Sequence, residues 1–145
     1  MKMSNLTQVI DRFYHDMAIN DLRIMNGSLE KSKLSYHSIL YLDIIMGYPG
    51  KYTASEIADL LMVARPAVTQ KINALEKLNL IKKVQCSSDK RKHYLHPNLA
   101  TFPEKGQYNQ TDDWVESKLK EAYSQKELDK FCEILGFVGN LYKEK

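Results

Sequence analysis

The sequence predicts a mainly α-helical fold of the α+β class. Apolar residues recur at helical spacing near both ends of the 145-residue chain. Two short amphipathic segments in the middle are separated by only a few residues, and an alternating pattern with a polar tip follows between residues 80 and 97. Together these features predict a helix-turn-helix with a β-hairpin wing, flanked by long N- and C-terminal helices.

The N-terminal part of the chain is expected to form two helices. The first would run from Leu6 to Met25 on one apolar stripe and stop near Gly27. Its stripe consists of Leu6, Val9, Ile10, Phe13, Met17 and Ile24. The second would be capped by Ser35 and end at Gly47, before a turn at residues 48–50.

The third and fourth helices form the central pair. Thr53 opens the third helix, with Glu56 at capping-box spacing. Residues 62–64 would make the turn. Pro66 then lies in the first turn of the fourth helix, where its missing N–H is tolerated, and this helix would end near Leu78.

The wing and two further helices complete the prediction. Residues 80–86 and 92–96 would be strands around the polar tip 87–91, with Pro97 closing the second strand. A fifth helix would begin near Thr111 or earlier, and Ser124 with Glu127 would cap a sixth. We therefore expect three regions, which are an N-terminal helix and linker (1–34), a winged helix-turn-helix (35–100) and C-terminal helices (101–145).

The charge distribution indicates where a polyanion would bind. The chain has a net charge of +3, but residues 51–97 alone have +5, whereas residues 1–50 are neutral and residues 98–145 have −2. A positive surface at the helix-turn-helix suits the phosphates of double-stranded DNA. No apolar run is long enough for a membrane helix, and the two distant cysteines suit a reducing compartment, so we expect a cytoplasmic protein with no membrane partner.

The fourth helix has the pattern of a helix that reads a DNA major groove. Val68, Ile72 and Leu75 fall on one side, and Leu78 would extend that stripe. The opposite side has small, amide and hydroxyl groups that can hydrogen-bond to base edges. Its candidate DNA-binding residues are Arg65, Pro66, Thr69, Gln70, Asn73 and Lys77, with Gln70 and Asn73 expected at bases.

The hairpin has the pattern of a wing that lies along the neighbouring minor groove. Its strands and tip contain the basic residues Lys82, Lys83, Lys90, Arg91 and Lys92, of which the last three are DNA-binding candidates. Arginine suits a narrow minor groove, where negative potential is concentrated. Asp89 has the wrong sign for DNA, and we expect it to orient a basic side chain through a charge-assisted bond.

These segments resemble the MarR-type family of bacterial winged helix-turn-helix regulators. The resemblance covers nearly the whole chain and is strongest over RPAVTQKINALEKLNLIKKVQCSSDKRKHYL, with a Leu-Glu-x-x-x-Leu-Ile segment (75–81) and an Asp-x-Arg element (89–91). Two features depart from the family pattern. Asn79 replaces the usual Gly, although Asn tolerates the left-handed conformation, and the connection LHPNLATFPEKG after the wing is longer.

The resemblance implies a homodimer held by the first and the last two helices. It implies a transcriptional regulator, more often a repressor, that binds a palindromic operator and is released by a small-molecule effector or an oxidant. The reading helix (about 65–78) would enter the major groove, with Thr69, Gln70 and Asn73 on it. The wing (about 80–97) would lie at the minor groove, with Arg91 as its arginine and Asp89 as the positioning partner.

Several alternatives stay open at the level of sequence. A winged helix can serve protein contact instead of DNA, but the polar fourth helix argues against this. No phosphate loop, carboxylate pair or nucleophile motif predicts an enzyme, and no cofactor is expected. His93 and His96 would face opposite sides of a strand, so no metal site is expected there. The sequence gives less support to three other hypotheses. They are an effector or metal site at His15 and His37, an oxidant sensor at Cys86 or Cys132, and an effector cavity lined by Tyr and Met side chains. The sequence does not indicate the effector itself.

Overall fold

A computed structural model describes residues 5–24, 34–100 and 107–145. It shows six helices and a two-stranded antiparallel sheet within these ranges, so the mainly helical winged fold is confirmed. The elements are α1 (Leu6–Ile24), α2 (Tyr36–Gly47), α3 (Ala54–Leu61), α4 (Arg65–Lys77), β1 (Ile81–Gln85), β2 (His93–Pro97), α5 (Gln107–Ala122) and α6 (Gln125–Glu144). The expected stop at Gly27 lies outside the described residues.

The predicted helix caps are present. Ser35 Oγ accepts from the Ser38 backbone N–H at the start of α2 (3.2 Å). Thr53 with Glu56, and Ser124 with Glu127, form reciprocal capping boxes at α3 and α6. Each box satisfies two backbone donors that a helix start otherwise leaves without partners.

One hydrophobic core joins α2, α3, α4 and the wing. Ile45, Ile57, Val68, Ile72 and Leu75 are almost entirely buried. Each strand of the wing adds one buried residue to this core, Ile81 from β1 and Leu95 from β2. Because α4 and both strands share this core, the wing is fixed relative to the helix.

The turn between α3 and α4 depends on a left-handed residue. Met62 has φ 55°, and its N–H bonds to the carbonyls of Ala58 and Asp59. Val63 N–H also bonds to Ala58 O (3.0 Å), which satisfies the end of α3 within the turn. The predicted turn at residues 62–64 is thereby confirmed.

The junction between α4 and the wing corrects one prediction and confirms another. Leu78 does not extend the buried stripe, because α4 ends at Lys77 and Leu78 is half exposed in the helix cap. Asn79 has φ 60°, so it does adopt the left-handed conformation expected of it. Asn98 closes the base of the wing: its amide donates to Asn79 O, and its backbone N–H donates to Leu80 O (both 2.9 Å).

The wing includes a third backbone segment that the sequence pattern did not reveal. Thr53 forms an isolated bridge with Tyr94, and Leu95 N–H bonds to Tyr52 O (2.9 Å). The chain reaches this segment through Gly50, which has φ 70°. A Cβ at Gly50 would lie 2.4 Å from the His96 ring, so the turn requires glycine.

The helices at the two ends of the chain lie largely outside this core. Leu6, Val9, Phe13 and Met17 of α1 are exposed, as are many large apolar side chains of α5 and α6. Tyr14 packs edge-on against Tyr142 of α6, with ring centroids 5.4 Å apart. None of the described helices is long and apolar enough to cross a bilayer.

Candidate nucleic-acid interface

The exposed side of α4 is polar, as the helical periodicity predicted. Val68, Ile72 and Leu75 are fully buried behind it. The side chains on the opposite side are all exposed, and they are Pro66, Thr69, Gln70, Asn73 and Lys77. This places amide and hydroxyl groups on a rigid helix face that no described part of the chain covers.

The first turn of α4 has no side-chain cap, and of its backbone groups Pro66 has no N–H while Ala67 N–H donates to Ala64 O (3.2 Å). Ala64 is the N-cap and supplies no side-chain acceptor to the helix start. Arg65 begins the helix, and its guanidinium lies 3.9 Å from the Asp59 carboxylate, with both side chains mostly exposed. An uncapped helix N-terminus beside an arginine favours phosphate.

Asn73 is held by the wing. Lys83 Nζ on β1 donates to Asn73 Oδ1 (2.8 Å) and lies 3.5 Å from Glu76 Oε1. The Lys83 side chain is 30% exposed, so it is partly enclosed between α4 and the strand. The prediction that Asn73 lies on the exposed side therefore holds, but the residue is not free, because its oxygen already has a partner. The sequence pattern showed the basic strand and the polar helix but not this link between them.

The wing tip presents Arg91 on a fixed turn. Asp89 Oδ1 accepts from the Arg91 backbone N–H (3.0 Å) and from Nε (3.3 Å), and Oδ2 accepts from Nη2 (3.5 Å). The Arg91 side chain remains 91% exposed, whereas Asp89 is only 30% exposed. The bonds from Arg91 lower the pKa of Asp89, so it stays ionised. The contact between Asp89 and a basic side chain, which the sequence predicted, is therefore present.

A cleft of about 650 Å³ lies between the start of α3, the start of α4 and the wing. Its cationic lining comes from Arg65, Lys83, Arg91 and Lys92. The acidic lining residues are engaged: Glu56 in the capping box of α3 and Asp59 with Arg65. The cleft brings candidates from both the helix and the wing to one concave surface, and it leaves Gln70, Asn73, Lys77 and Lys90 outside its lining.

Some lining residues are not among the predicted DNA-binding residues. Thr53, Ser55 and His93 also face the cleft. The sequence predicts Thr53 only as a helix cap, whereas its bridge to β2 brings the start of α3 to the wing. No spacing rule in the sequence could have shown this, because the bridge joins residues 41 positions apart.

The other sequence hypotheses have different outcomes, because the described residues show no group of metal ligands whereas the surroundings of Cys86 favour its thiolate. Among the described residues, no three His, Cys, Asp or Glu side chains group as metal ligands. His37 packs edge-on against Tyr41. Cys86 contacts Ser88 Oγ (3.2 Å), and bonds from Ser88 and the following backbone lower the pKa of its thiol, while Cys132 is an exposed free thiol.

Solved structures share this fold over nearly the whole chain. A point mutant of MepR from multidrug-resistant S. aureus has a TM-score of 0.73 at 16% identity, covering 97% of this chain and 99% of that one. FabT of Streptococcus pneumoniae in complex with DNA has a TM-score of 0.59 at 20% identity, covering 95% and 94%. The S. aureus MepR–DNA complex has a TM-score of 0.56 at 16% identity, covering 95% and 99%.

The sequence itself matches a family model. Residues 34–93, which include α2, α3, α4 and the start of β2, match the MarR family. No curated protein matches the sequence significantly. The chain is therefore similar to the MarR family over residues 34–93, and it shares its fold with the solved structures above.

Proposed function

We propose that this protein is a transcriptional regulator that binds double-stranded DNA through α4 and the wing. The observation that supports this most directly is the cationic cleft in which Arg65 and Thr69 of α4 face the Arg91 tip, next to the exposed polar face of the same helix. Gln70 and Asn73 would contact base edges in the major groove, while Arg91 would enter the minor groove. Arg65, Thr69, Lys77, Lys90 and Lys92 would contact mainly phosphates.

The same proposal includes a homodimer. Large apolar side chains on α1 and α6 are exposed in the single chain, among them Phe13, Phe131, Ile134, Leu135 and Phe137. An apolar area of this kind is the mark of an interaction surface. A second copy that covers it would hold two reading helices for a palindromic site, with half-sites about one DNA turn apart.

The distance between the two reading helices would then control DNA binding. An effector that stabilises a dimer with a different separation would release the operator by shifting the population. The repressor role and the release by an effector are proposed because the chain resembles the MarR-type family.

A winged helix used for protein contact is the alternative function. A titration of the full-length protein against random duplex DNA at several salt concentrations separates the two functions. DNA binding through several phosphates should weaken steeply as the salt concentration rises. The logarithm of the binding constant should fall with the logarithm of the salt concentration, with a slope of about 0.9 per contacted phosphate. Absence of binding at low salt would exclude the DNA-binding function, and enrichment of a two-fold symmetric motif from a random duplex pool would support the dimeric operator.

A variant designed to break the dimer tests the proposed homodimer. Leu135→Lys places a charge in the exposed apolar face of α6 and should shift the molar mass in light scattering from dimer to monomer. The matched control is Lys130→Ala on the same helix, where Lys130 pairs with Glu133 at the surface. A monomeric wild type, or a dimer that tolerates Leu135→Lys, would contradict the proposed interface.

A further inference from the structure

We infer that Lys83 is a specificity-determining residue: by holding the amide oxygen of Asn73, it leaves Asn73 to read a base edge with its N–H donors alone, which favours guanine. This inference rests on the proposed function and adds the class of base that Asn73 would read. Lys83 lies on β1, whereas Asn73 lies on the exposed face of α4. The two side chains are joined by a bond of 2.8 Å.

The chemistry of the two groups fixes which end of the amide faces the strand. A lysine ammonium has three donors and no acceptor, so only the Asn73 oxygen can meet it. The amide nitrogen lies on the other branch of the same planar group and points away from Lys83. The exposed end of Asn73 therefore offers N–H donors.

A free asparagine has a different preference. Its bidentate pairing with adenine needs the amide oxygen to accept from N6 while the nitrogen donates to N7. Lys83 already donates to this oxygen, and its positive charge disfavours a second donor such as adenine N6 at the remaining lone pair, so the pairing with adenine is weakened. Guanine presents two acceptors, N7 and O6, at the same groove edge, so a group with donors alone matches guanine better than adenine.

Glu76 keeps Lys83 in this position. Its carboxylate lies 3.5 Å from Lys83 Nζ, one turn along α4 from Asn73. This partner offsets the lysine charge, so that Lys83 is less available to a phosphate than the exposed Arg91 is. The trio thus acts as a positioning device between helix and wing, and its effect is expected in base preference more than in overall affinity.

Selection from a random duplex pool by the full-length protein provides the test. The wild type and Asn73→Ala are compared first, because the base pair whose enrichment disappears in Asn73→Ala is the one that Asn73 reads. At that base pair the wild type should favour guanine over adenine by about fivefold or more, which is the lower end expected for a specific base contact. Lys83→Met should reduce this preference below about twofold or reverse it to adenine.

Lys82→Met is the matched control. Lys82 is the adjacent residue on β1, is exposed and pairs with His96 across the hairpin, so its removal takes away the same charge without touching Asn73. It should lower random-DNA affinity at least as much as Lys83→Met, because Lys83 is offset by Glu76, and it should leave the guanine preference intact. Asn73→Asp gives a second readout that does not alter Lys83: it keeps an acceptor for the lysine, removes both donors and should abolish the guanine preference.

The outcomes separate this inference from the proposed function. If the wild type enriches no motif and binds no duplex, the proposed DNA-binding function fails. If it enriches a motif but Lys83→Met selects the same base as the wild type, or if Asn73→Asp retains the guanine preference, the role of Lys83 is overturned. If Asn73→Ala changes no base position, Asn73 does not read a base and the inference fails with it.

Discussion

Replacing Asp89 by Asn tests how the wing works, because two physical effects predict opposite results. Asn can still accept a hydrogen bond from the Arg91 backbone N–H, which Asp89 holds at 3.0 Å, so the turn should persist. The charged pair with Nε and Nη2 of Arg91, at 3.3 and 3.5 Å, is lost. The substitution therefore separates the positioning of Arg91 from the shape of the tip.

The magnitude follows from the geometry of Arg91. Its side chain is 91% exposed, so without Asp89 it would sample many rotamers and would be ordered only on binding. Ordering such a side chain costs about 0.5–1.5 kcal/mol, which corresponds to roughly a two- to tenfold loss of affinity per wing. If Asp89 were only a negative charge near the phosphates, its removal would instead strengthen binding.

Fluorescence anisotropy on a selected duplex at physiological salt measures the difference. Arg91→Ala should lose on the order of 1–3 kcal/mol of binding free energy while its melting temperature stays at the wild-type value. Adding Asp89→Asn to Arg91→Ala should cost nothing further, because the residue to be positioned is gone. Tighter binding by Asp89→Asn in the wild-type background would refute the positioning role, and an unchanged affinity of folded Arg91→Ala would refute the wing arginine.

Three further predictions concern the reading face, the core and pH. Gln70→Ala should reduce discrimination between a selected operator and random DNA more than it reduces random-DNA affinity, and equal losses in titrations on both would argue against direct readout. Ile72→Ala should lower the free energy of unfolding by about 2–5 kcal/mol in denaturant titrations, because Ile72 is fully buried, whereas Lys77→Ala at the surface should stay within about 0.5 kcal/mol. Partial desolvation, with the nearby Asp21 carboxylate, raises the pKa of Asp43 to about 6. The stability contributed by protonated Asp43 is full below pH 3.8 and lost as pH rises through about 6. Asp43→Asn should therefore be more stable than wild type at pH 7, and the difference should disappear by about pH 3. The same difference at both pH values would contradict this.

Local chemistry determined much of this protein from its sequence. Capping boxes, the proline in the first turn of α4 and the left-handed tendency of Asn79 act within a few residues, so their patterns predicted the element order. The buried side of α4 was predicted up to Leu75 for the same reason. The prediction was wrong at Leu78, because the helical period stops applying where the helix ends.

Contacts between distant residues were decided only by the tertiary structure. The bridge from Thr53 to Tyr94, the bond from Lys83 to Asn73 and the closure of the wing by Asn98 each join segments that no periodicity relates. These contacts depend on how α3, α4 and the hairpin pack on a common core. Such packing brings together residues that are far apart in the sequence, so no local pattern predicts it. The sequence thus determined which groups face outward on α4, and the folded chain determined which of their atoms remain open to a partner.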